Sequence, residues 1–421
     1  MAYGMPVSRE SIGVVEEAFS SGLFAREPHR LYRLLQDTAP VYWSDFLGQW
    51  LVTSAEAVDQ VLLSPRQFSN FGFDAAYIGR LGDGPGFETL RHHFEQRGLI
   101  QADPPDHTRL RRVLSKHFTS RALEPLQGQI EATVSALLSA ASDDFDVIRD
   151  LAGPLPVIVI SDLLGVPAED RADFPRWSAH AVQFFGTPSP DAHNAEILDQ
   201  DLVAWRSLLS RLFEESISAP REDLLSIIAS NLATGEMSRE ESLFTCVHLL
   251  IAGHETTTNL TGNAMYCLLA NPDVHAELVE QPELLDAFIE EVLRFEPPIQ
   301  RIRRVATEAC ELAGHSIAAG EPVIPVLAAA NRDPQRFSEP DSFNIHRDFT
   351  RNPHFSFGRG VHFCIGAPLA RLEAPAAVRG LLNRFPNATF ADGYQPEWRP
   401  TINLRGLASL PIKSSTTKRS A

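Results

Sequence analysis

The chain has 421 residues, more than the roughly 100–200 of a typical compact domain, and 44% of them are apolar, so it can bury a large core. Charged residues make up 22%, a proportion that is ordinary for a globular enzyme. The formal net charge of −17 argues against general affinity for nucleic acid or for anionic membranes.

The first hundred residues predict strands, a helix and then a loop. Residues 39–64 have the pattern of two short strands followed by a helix. Residues 70–100 carry several glycines and predict a long loop of the kind that often binds ligands. Residues 82–86, GDGPG, resemble a phosphate loop, but they lack the strand–turn–helix context that such a loop needs.

From residue 105 to about 285 the pattern is helical, with a turn-rich connection at 184–192. The best-marked helix begins at Ser238, which forms a capping box with Glu241, and ends at Asn271. A helix of about 33 residues is roughly 50 Å long, so we expect it to cross the whole molecule.

Short strand patterns appear after residue 295, at 303–326 and 400–411. The chain therefore predicts a mainly α fold, in which one large helical domain over 1–421 carries small β-sheets. The ends, about 1–12 and 413–421, are predicted to fray.

The cysteines indicate a reducing environment, because their spacing matches neither a zinc motif nor a dense disulfide framework. No stretch is apolar enough to span a membrane, and the N-terminus lacks a signal-peptide pattern. We therefore expect a cytoplasmic protein. Three of the cysteines lie in apolar stretches and are predicted to be small buried side chains: Cys246, Cys267 and Cys310.

Cys364 lies in a different setting, the segment FSFGRGVHFCIGAPLAR at 355–371. Gly358, Gly360 and Gly366 permit unusual dihedral angles and let a flat partner approach the backbone. A helix follows, and its N-terminal end lowers the pKa of a nearby thiol. A thiolate held in this way is suited to act either as a nucleophile or as a metal ligand. His362 is close in sequence, but spacing alone does not show that it points at the sulfur.

Motifs along nearly the whole chain resemble those of the cytochrome P-450 family. The cysteine segment matches F-x-x-G-x-x-x-C-x-G at Phe357, Gly360, Cys364 and Gly366. Further matches are AGHETT at 252–257, EVLR at 291–294, the H-x-x-x-R stretch within 103–118 and LRGLASLPI at 404–412.

The resemblance implies haem b with the Cys364 thiolate as the axial ligand of iron, a ligand that favours O–O cleavage over reversible O₂ binding. It also implies cations or donors for the two haem propionates. These are His107, Arg111, Arg304 and His362. The remaining residues that the resemblance assigns to the haem pocket are Gly253, Phe357, Gly358 and Gly366.

On the long helix, the resemblance gives Thr256 a hydrogen bond at the oxygen site and makes Glu255 a relay for protons from solvent. Glu291 and Arg294 form a structural brace with a later arginine, for which Arg347 is the candidate and Arg351 the alternative.

The implied activity is that of a haem-thiolate monooxygenase, which uses O₂ and two externally supplied electrons to insert one oxygen atom into a hydrophobic small molecule. We expect the donor to be a separate ferredoxin with its reductase and NAD(P)H, steered to a basic patch on the proximal side. The patch would comprise Arg109, Arg112, Lys116 and Arg359. Neither nucleic acid nor a membrane is an expected partner.

The substrate pocket is expected to be mostly apolar. Its predicted walls are residues 70–100 and 174–190 with Phe184 and Phe185 as lid, Leu249, Leu250, Gly253, Ile299–Ile302 and Leu404–Leu407. Other activities of the same haem fold stay open as alternatives: a peroxygenase, oxidative coupling or desaturation, and a non-enzymatic haem sensor. A cysteine hydrolase without haem is a more distant alternative.

Overall fold

The computed structural model describes residues 9–82, 86–140 and 144–414. Most of the ends predicted to fray, 1–8 and 415–421, therefore lie outside the described residues, as do 83–85 of the GDGPG stretch. Of the remaining residues, 9–12 begin a helix and 413–414 end a strand.

The elements of the first half are, in chain order, α1 (Arg9–Ser20), α2 (Leu23–Arg26), α3 (Pro28–Thr38), β1 (Val41–Ser44), β2 (Gln49–Val52), α4 (Ala55–Leu63), β3 (Phe68–Ser69), α5 (Phe73–Gly79), α6 (Glu88–Phe94), α7 (Asp106–Ser115), α8 (Ser120–Leu123), α9 (Leu126–Ser139), α10 (Pro154–Leu164), α11 (Phe174–Phe185) and α12 (Ala192–Ser218). A π-helical turn at Ile148–Ala152 leads into α10.

The second half continues with α13 (Leu224–Ala233), α14 (Arg239–Ala270), α15 (Pro272–Glu280), α16 (Leu285–Phe295), β4 (Arg304–Ala306), β5 (Cys310–Leu312), β6 (His315–Ile317), β7 (Pro322–Pro325), α17 (Leu327–Ala330), α18 (Ala367–Arg384), β8 (Ala388–Phe390) and β9 (Ile412–Ser414). The prediction of a mainly α fold with small sheets is confirmed.

The strands form one five-stranded sheet, in the order β1-β2-β7-β4-β3, and two hairpin-sized sheets, β5-β6 and β8-β9. β1 and β2 pair antiparallel with Val41 opposite Val52, while β2 pairs parallel with β7. The prediction of two strands and a helix over 39–64 is therefore confirmed. Residues 400–411 form only isolated bridges, at Leu404, Leu407 and Pro411, before β9 begins.

Helix α14 is the long helix that the sequence predicted. The Ser238 hydroxyl accepts a hydrogen bond from the Glu241 N–H at 3.1 Å, and the Glu241 carboxylate accepts one from the Ser238 N–H at 2.7 Å. This capping box satisfies donors that a helix start leaves free. With 32 residues the helix is about 48 Å long, and it packs against α10, α11, α12, α16 and α18.

The prediction of a structureless loop over 70–100 is wrong, because α5 and α6 lie within it. Tyr77 and Ile78 of α5 and Leu90 and Phe94 of α6 are buried in one apolar cluster with residues of α12 and α14. Leu90 and Phe94 are four residues apart and so share a helix face. The glycines between these helices obscured that signal.

The main apolar core joins α9, α14, α16 and α18. Cys267 belongs to it, and Cys246 is buried on the other side of α14, as predicted. Cys310 is only half-buried in the small sheet β5-β6, so the prediction that it is a buried side chain is wrong. Within the described ranges, no helix combines the length and apolar character needed to cross a membrane.

Candidate active site

The cysteine segment makes a tight loop before α18, and two of its glycines are required by its shape. Gly358 and Gly360 adopt positive φ angles of 66° and 68°, a region that other residues rarely adopt. A Cβ on Gly360 would also lie 2.8 Å from the carbonyl oxygen of Leu62. Gly366 has an ordinary φ of −81°, so the prediction of unusual dihedrals is wrong at that position.

The Cys364 side chain has an exposed face, and its backbone N–H donates to the carbonyl of Phe357 at 2.8 Å. Desolvation by the surrounding protein raises the pKa of the Cys364 thiol, while the N–H groups of Gly366 and Ala367 and the Arg111 guanidinium act to lower it. The start of α18 therefore lowers the pKa of the Cys364 thiol, as predicted, but desolvation outweighs this effect. A bound metal cation would keep the sulfur anionic, because coordination deprotonates a thiol.

Two imidazoles meet at this loop, His362 within it and His107 on α7. The rings of His107 and His362 are 4.1 Å apart, and the Nε2 atom of each is buried with no hydrogen-bond partner among the described residues. Burial lowers the pKa of His107 to about 4. Burial, together with the charges of His107, Arg304 and Arg111, lowers the pKa of His362 to about 2. Both rings are thus neutral at pH 7 and retain donor capacity for an anion.

Two arginines complete the group. Arg111 donates to the carbonyls of Val361 and Phe363 at 3.1 and 2.6 Å, so it holds the cysteine loop as well as contributing charge. Arg304 is buried, and burial lowers its pKa to about 10, which leaves it a cation at neutral pH. The structure therefore brings the four predicted propionate residues together around His362.

Helix α14 presents small and polar side chains near its middle. Ala252 is exposed, and Gly253 and Thr256 are half-exposed, in a helix whose other faces are largely buried. The Thr256 hydroxyl donates to the Ala252 carbonyl at 2.6 Å, as expected of a threonine that bonds its own helix backbone. A Cβ on Gly253 would lie 3.0 Å from Ile160, tighter than most contacts of that atom.

Glu255 is buried, and its partner was not foreseen. Its carboxylate accepts a hydrogen bond from Nη1 of Arg399 at 3.0 Å, and the Arg399 side chain is 31% exposed. Burial raises the pKa of Glu255, against the lowering effect of Arg399. Because 144 residues separate the two, no local sequence pattern links them.

The brace has the predicted members. The side chains of Glu291 and Arg294 are fully buried and form two hydrogen bonds, at 2.7 and 2.8 Å. Nε of Arg347 lies 3.3 Å from Oε2 of Glu291, so the geometry favours Arg347 over Arg351 as the third member. Arg294 also donates to the carbonyls of Asn331, Pro340 and Ser342, which ties α16 to the segment that leads to the cysteine loop.

The predicted basic patch is partly neutralised. Arg109 is not free to turn outward, because it donates to Glu241 at 2.6 Å and to Asp106 at 3.1 Å. Arg112 pairs with Glu236 at 2.7 Å but stays 70% exposed, and Arg359 pairs with Asp59 at 3.1 Å. Lys116 is exposed and makes no ion pair in the part of the chain that the structure describes.

Taken together, the residues present fit a haem. Neutral imidazoles with unpaired nitrogens and a buried arginine suit two carboxylates, positive-φ glycines let the backbone lie against a flat ring, and one thiol faces the same site. A mainly α protein with a cysteine loop and a small-residue face on a central helix has the architecture of the haem-thiolate class.

Comparison with known proteins identifies the family. The family model Cytochrome P450 matches residues 60–393. The chain is 39% identical to cytochrome P450 107B1 of Saccharopolyspora erythraea, over 93% of this chain and 96% of that one. It is 37% identical to the cytochrome P450 monooxygenase PikC of Streptomyces venezuelae, over 93% and 92%. A crystal structure of P450BioI with an acyl carrier protein ligated by hexadec-9Z-enoic acid superposes with a TM-score of 0.85 at 34% identity, over 93% and 100%.

The chain belongs to the cytochrome P450 family. It is a haem-thiolate monooxygenase, an oxidoreductase that uses O₂ to oxidise small hydrophobic molecules and carries haem b with a cysteine thiolate as axial ligand. The predictions of family, enzyme class and cofactor are confirmed.

Proposed function

We propose that Cys364 supplies the thiolate that binds the haem iron, and that four side chains hold the propionates: His107, Arg111, Arg304 and His362. The observation that supports this proposal most strongly concerns His107 and His362, whose Nε2 atoms are buried and have no hydrogen-bond partner among the described residues. The two rings lie 4.1 Å apart at the loop that bears the thiol. In our proposal the remaining pocket contacts are Gly253, Phe357, Gly358 and Gly366.

When bound, haem supplies the iron at which O₂ is reduced and its O–O bond is cleaved, helped by electron donation from the thiolate. The protein must then deliver protons to the oxygen site and keep bulk water out of it. We assign the hydrogen bond at the oxygen site to Thr256, whose hydroxyl lies on the open face of α14.

We assign the proton relay to Glu255. It is buried, yet the Arg399 side chain that pairs with it reaches solvent, so the Glu255 carboxylate can take up a proton from water and, after turning away from Arg399, donate it toward Thr256. The raised pKa of the Glu255 carboxyl favours its protonated form relative to an exposed glutamate, as a relay between water and a hydroxyl requires.

A cysteine exchange tests the ligand assignment. Cys364→Ser should abolish the strongly red-shifted Soret band of the reduced, CO-treated protein, because an alcohol is a far weaker anionic ligand than a thiol. Cys310→Ser, a change at a half-buried cysteine in the small sheet β5-β6, should leave the band in place. An unchanged band in Cys364→Ser would overturn the proposal.

We propose further that the electrons come from a separate ferredoxin with its reductase and NAD(P)H, docking at the end of α7. Lys116 and Arg112 are exposed there, and Arg111 of the same helix contacts the cysteine loop. A small acidic protein would be attracted to that surface even though the chain as a whole is acidic.

The substrate we propose is a hydrophobic small molecule, bound on the open face of α14. Leu249 and Gly253 are half-exposed there, and Phe185 is half-buried at the end of α11. The proposed location is the reducing cytoplasm, which keeps the thiol of Cys364 available; Cys246, Cys267 and Cys310 are likewise free thiols.

A further inference from the structure

A cleft rich in arginine lies between α5, the turn after α11 and the segment before β4. It is an open cleft: its empty volume of about 370 Å³ includes space that belongs to the solvent, and about 20 Å³ of it is pocket that a water-sized group can occupy. Its apolar walls include Phe73, Phe185 and Ile324. Three cations line it, Arg80, Arg301 and Arg303, and no acidic side chain is present among its described lining residues.

Arg301 is the unusual member, because it is buried and incompletely paired. Only 6% of the residue is exposed, its Nε donates to the Asn403 side chain at 2.9 Å, and its Nη1 has no hydrogen-bond partner among the described residues. Burial lowers its pKa to about 10, so it remains a cation at pH 7. A buried charge without a counter-ion is costly, which favours a negative ligand.

Arg303 lines the cleft, but both of its amino groups already have hydrogen-bond partners. One of its amino groups pairs with the carboxylate of Asp74 and the other donates to the Phe185 carbonyl at 3.2 Å. Its guanidinium lies over the rings of Phe73 and Phe185 at 5.0 and 5.1 Å. Asp74 also accepts from Gln101, so this nearby acid is engaged and does not neutralise Arg301.

Arg80 adds a second available charge. It is exposed at the C-terminal end of α5 and makes no ion pair in the described ranges. Arg301 and Arg303 both line this cleft, whereas Arg304 belongs to the group around His362. The arginines of this segment thus serve two different sites.

We propose that this cleft binds the carboxylate of an amphipathic substrate, with Nη1 of Arg301 as its main donor and Arg80 as a second cation. The guanidinium presents parallel N–H groups that match the two oxygens of a carboxylate. The aromatic and aliphatic walls accept the first part of the apolar chain. This inference rests on the proposed function and narrows its substrate class to carboxylic acids with a long apolar body.

The test compares a carboxylic acid with its methyl ester, which has the same acyl chain but no charge. Equilibrium dialysis of the haem-loaded protein with labelled dodecanoic acid and labelled methyl dodecanoate gives both dissociation constants. We expect the acid to bind at least about tenfold more tightly, which corresponds to about 1.4 kcal/mol, and this preference to shrink in 0.5 M salt. Equal binding of acid and ester would overturn the inference.

Variants identify the residues. Arg301→Gln should remove the preference for the acid, and Arg80→Gln should reduce it severalfold, while ester binding stays unchanged in both. Arg66→Gln, a change at an exposed arginine outside the cleft, should preserve the preference. If Arg301→Gln does not fold, Arg80→Gln decides alone, because its side chain is exposed. A full preference in the folded variants would contradict the assignment.

The CO spectrum separates this inference from the proposed function. If the protein shows the thiolate-haem Soret band but binds acid and ester equally, the proposed haem ligand stands and only the proposed anion site is refuted. A protein without that band refutes the proposed ligand, whatever the dialysis shows.

Discussion

At the scale of single residues, three buried atoms that lack a hydrogen-bond partner among the described residues lie in the proposed binding sites. The Nε2 atoms of His107 and His362 face the proposed propionates, and Nη1 of Arg301 faces the proposed carboxylate. A buried polar atom without a partner costs about 1–3 kcal/mol, so such atoms rarely persist without a function or an ordered water.

Thr256→Ala should separate oxygen activation from haem binding. Without the hydroxyl, a proton is no longer directed at the oxygen site, so we expect normal CO spectra but several times more hydrogen peroxide released per NAD(P)H consumed. Thr256→Ser, which keeps the hydroxyl, should stay close to the original protein. Unchanged product yield per electron in the alanine variant would contradict the assignment.

Glu373 provides a pH-dependent prediction. This residue of α18 is 1% exposed, its Oε2 has no partner among the described residues, and burial raises its pKa from 4.5 to about 8. The native state thus holds a proton that the unfolded state loses above about pH 4.5, so the carboxyl costs stability progressively as pH rises from there to about 8. The slope approaches about 1.4 kcal/mol per pH unit.

Glu373→Gln should remove that cost. Urea unfolding of the haem-loaded protein should show the variant gaining stability relative to the original between pH 5.5 and 8, with little further change above that. Glu124→Gln, at an exposed position in the same pH series, should show no such trend. A stability difference for Glu373→Gln that is flat with pH would mean that the carboxyl is ionised in the folded protein.

At the scale of elements, two local devices position the site. The capping box fixes the start of α14, the helix that carries Thr256, at Ser238. In the brace from α16, Arg294 donates to three carbonyl groups and Glu291 pairs with a second arginine, Arg347. The Glu291–Arg294 pair is fully buried and holds the segment before the cysteine loop against α16, whereas the capping box lies at the exposed start of α14.

Glu291→Gln should destabilise the brace strongly. The change removes the carboxylate that neutralises Arg294 and Arg347 in the protein interior. We expect the free energy of unfolding to fall by about 3–5 kcal/mol. Urea unfolding and haem content both report this loss. Glu215→Gln breaks an exposed pair with Arg211 on α12 and should cost less than about 1 kcal/mol. Comparable losses in the two variants would refute a special role for the brace.

At the scale of the whole molecule, charge is distributed unevenly. The formal net charge is −17, yet the end of α7 near the cysteine loop exposes Lys116 and Arg112. Pairing reduces the rest of the predicted basic patch, since Arg109 and Arg359 both have acidic partners. The attraction of an acidic donor should therefore depend mainly on Lys116 and less on Arg112.

Lys116→Glu should slow reduction by an acidic ferredoxin about tenfold at low salt, and the difference should vanish as salt screens the charges. Stopped-flow reduction at several salt concentrations measures it. Arg30→Glu makes the same charge change on an exposed side chain of α3 and should have little effect. Equal rates for the original protein and Lys116→Glu at low salt would exclude this docking surface.

The sequence by itself determined the features that depend on neighbours along the chain. The helix from Ser238 to Asn271, the strands at 41–52, and the cysteine loop with its glycines before α18 were all predictable, because caps, alternation and turn residues act within a few positions. The motif resemblance extended this to the family, the cofactor and the enzyme class.

Only the tertiary structure decided which distant groups meet. Arg399 pairs with Glu255, Arg347 rather than Arg351 joins the brace, Arg109 turns to Glu241, and Arg301 lines a cleft while Arg304 lies with the group around His362. Spacing carries no information on such pairs, because they depend on how remote segments pack. The same packing stabilised α5 and α6 against the loop-forming tendency of their glycines.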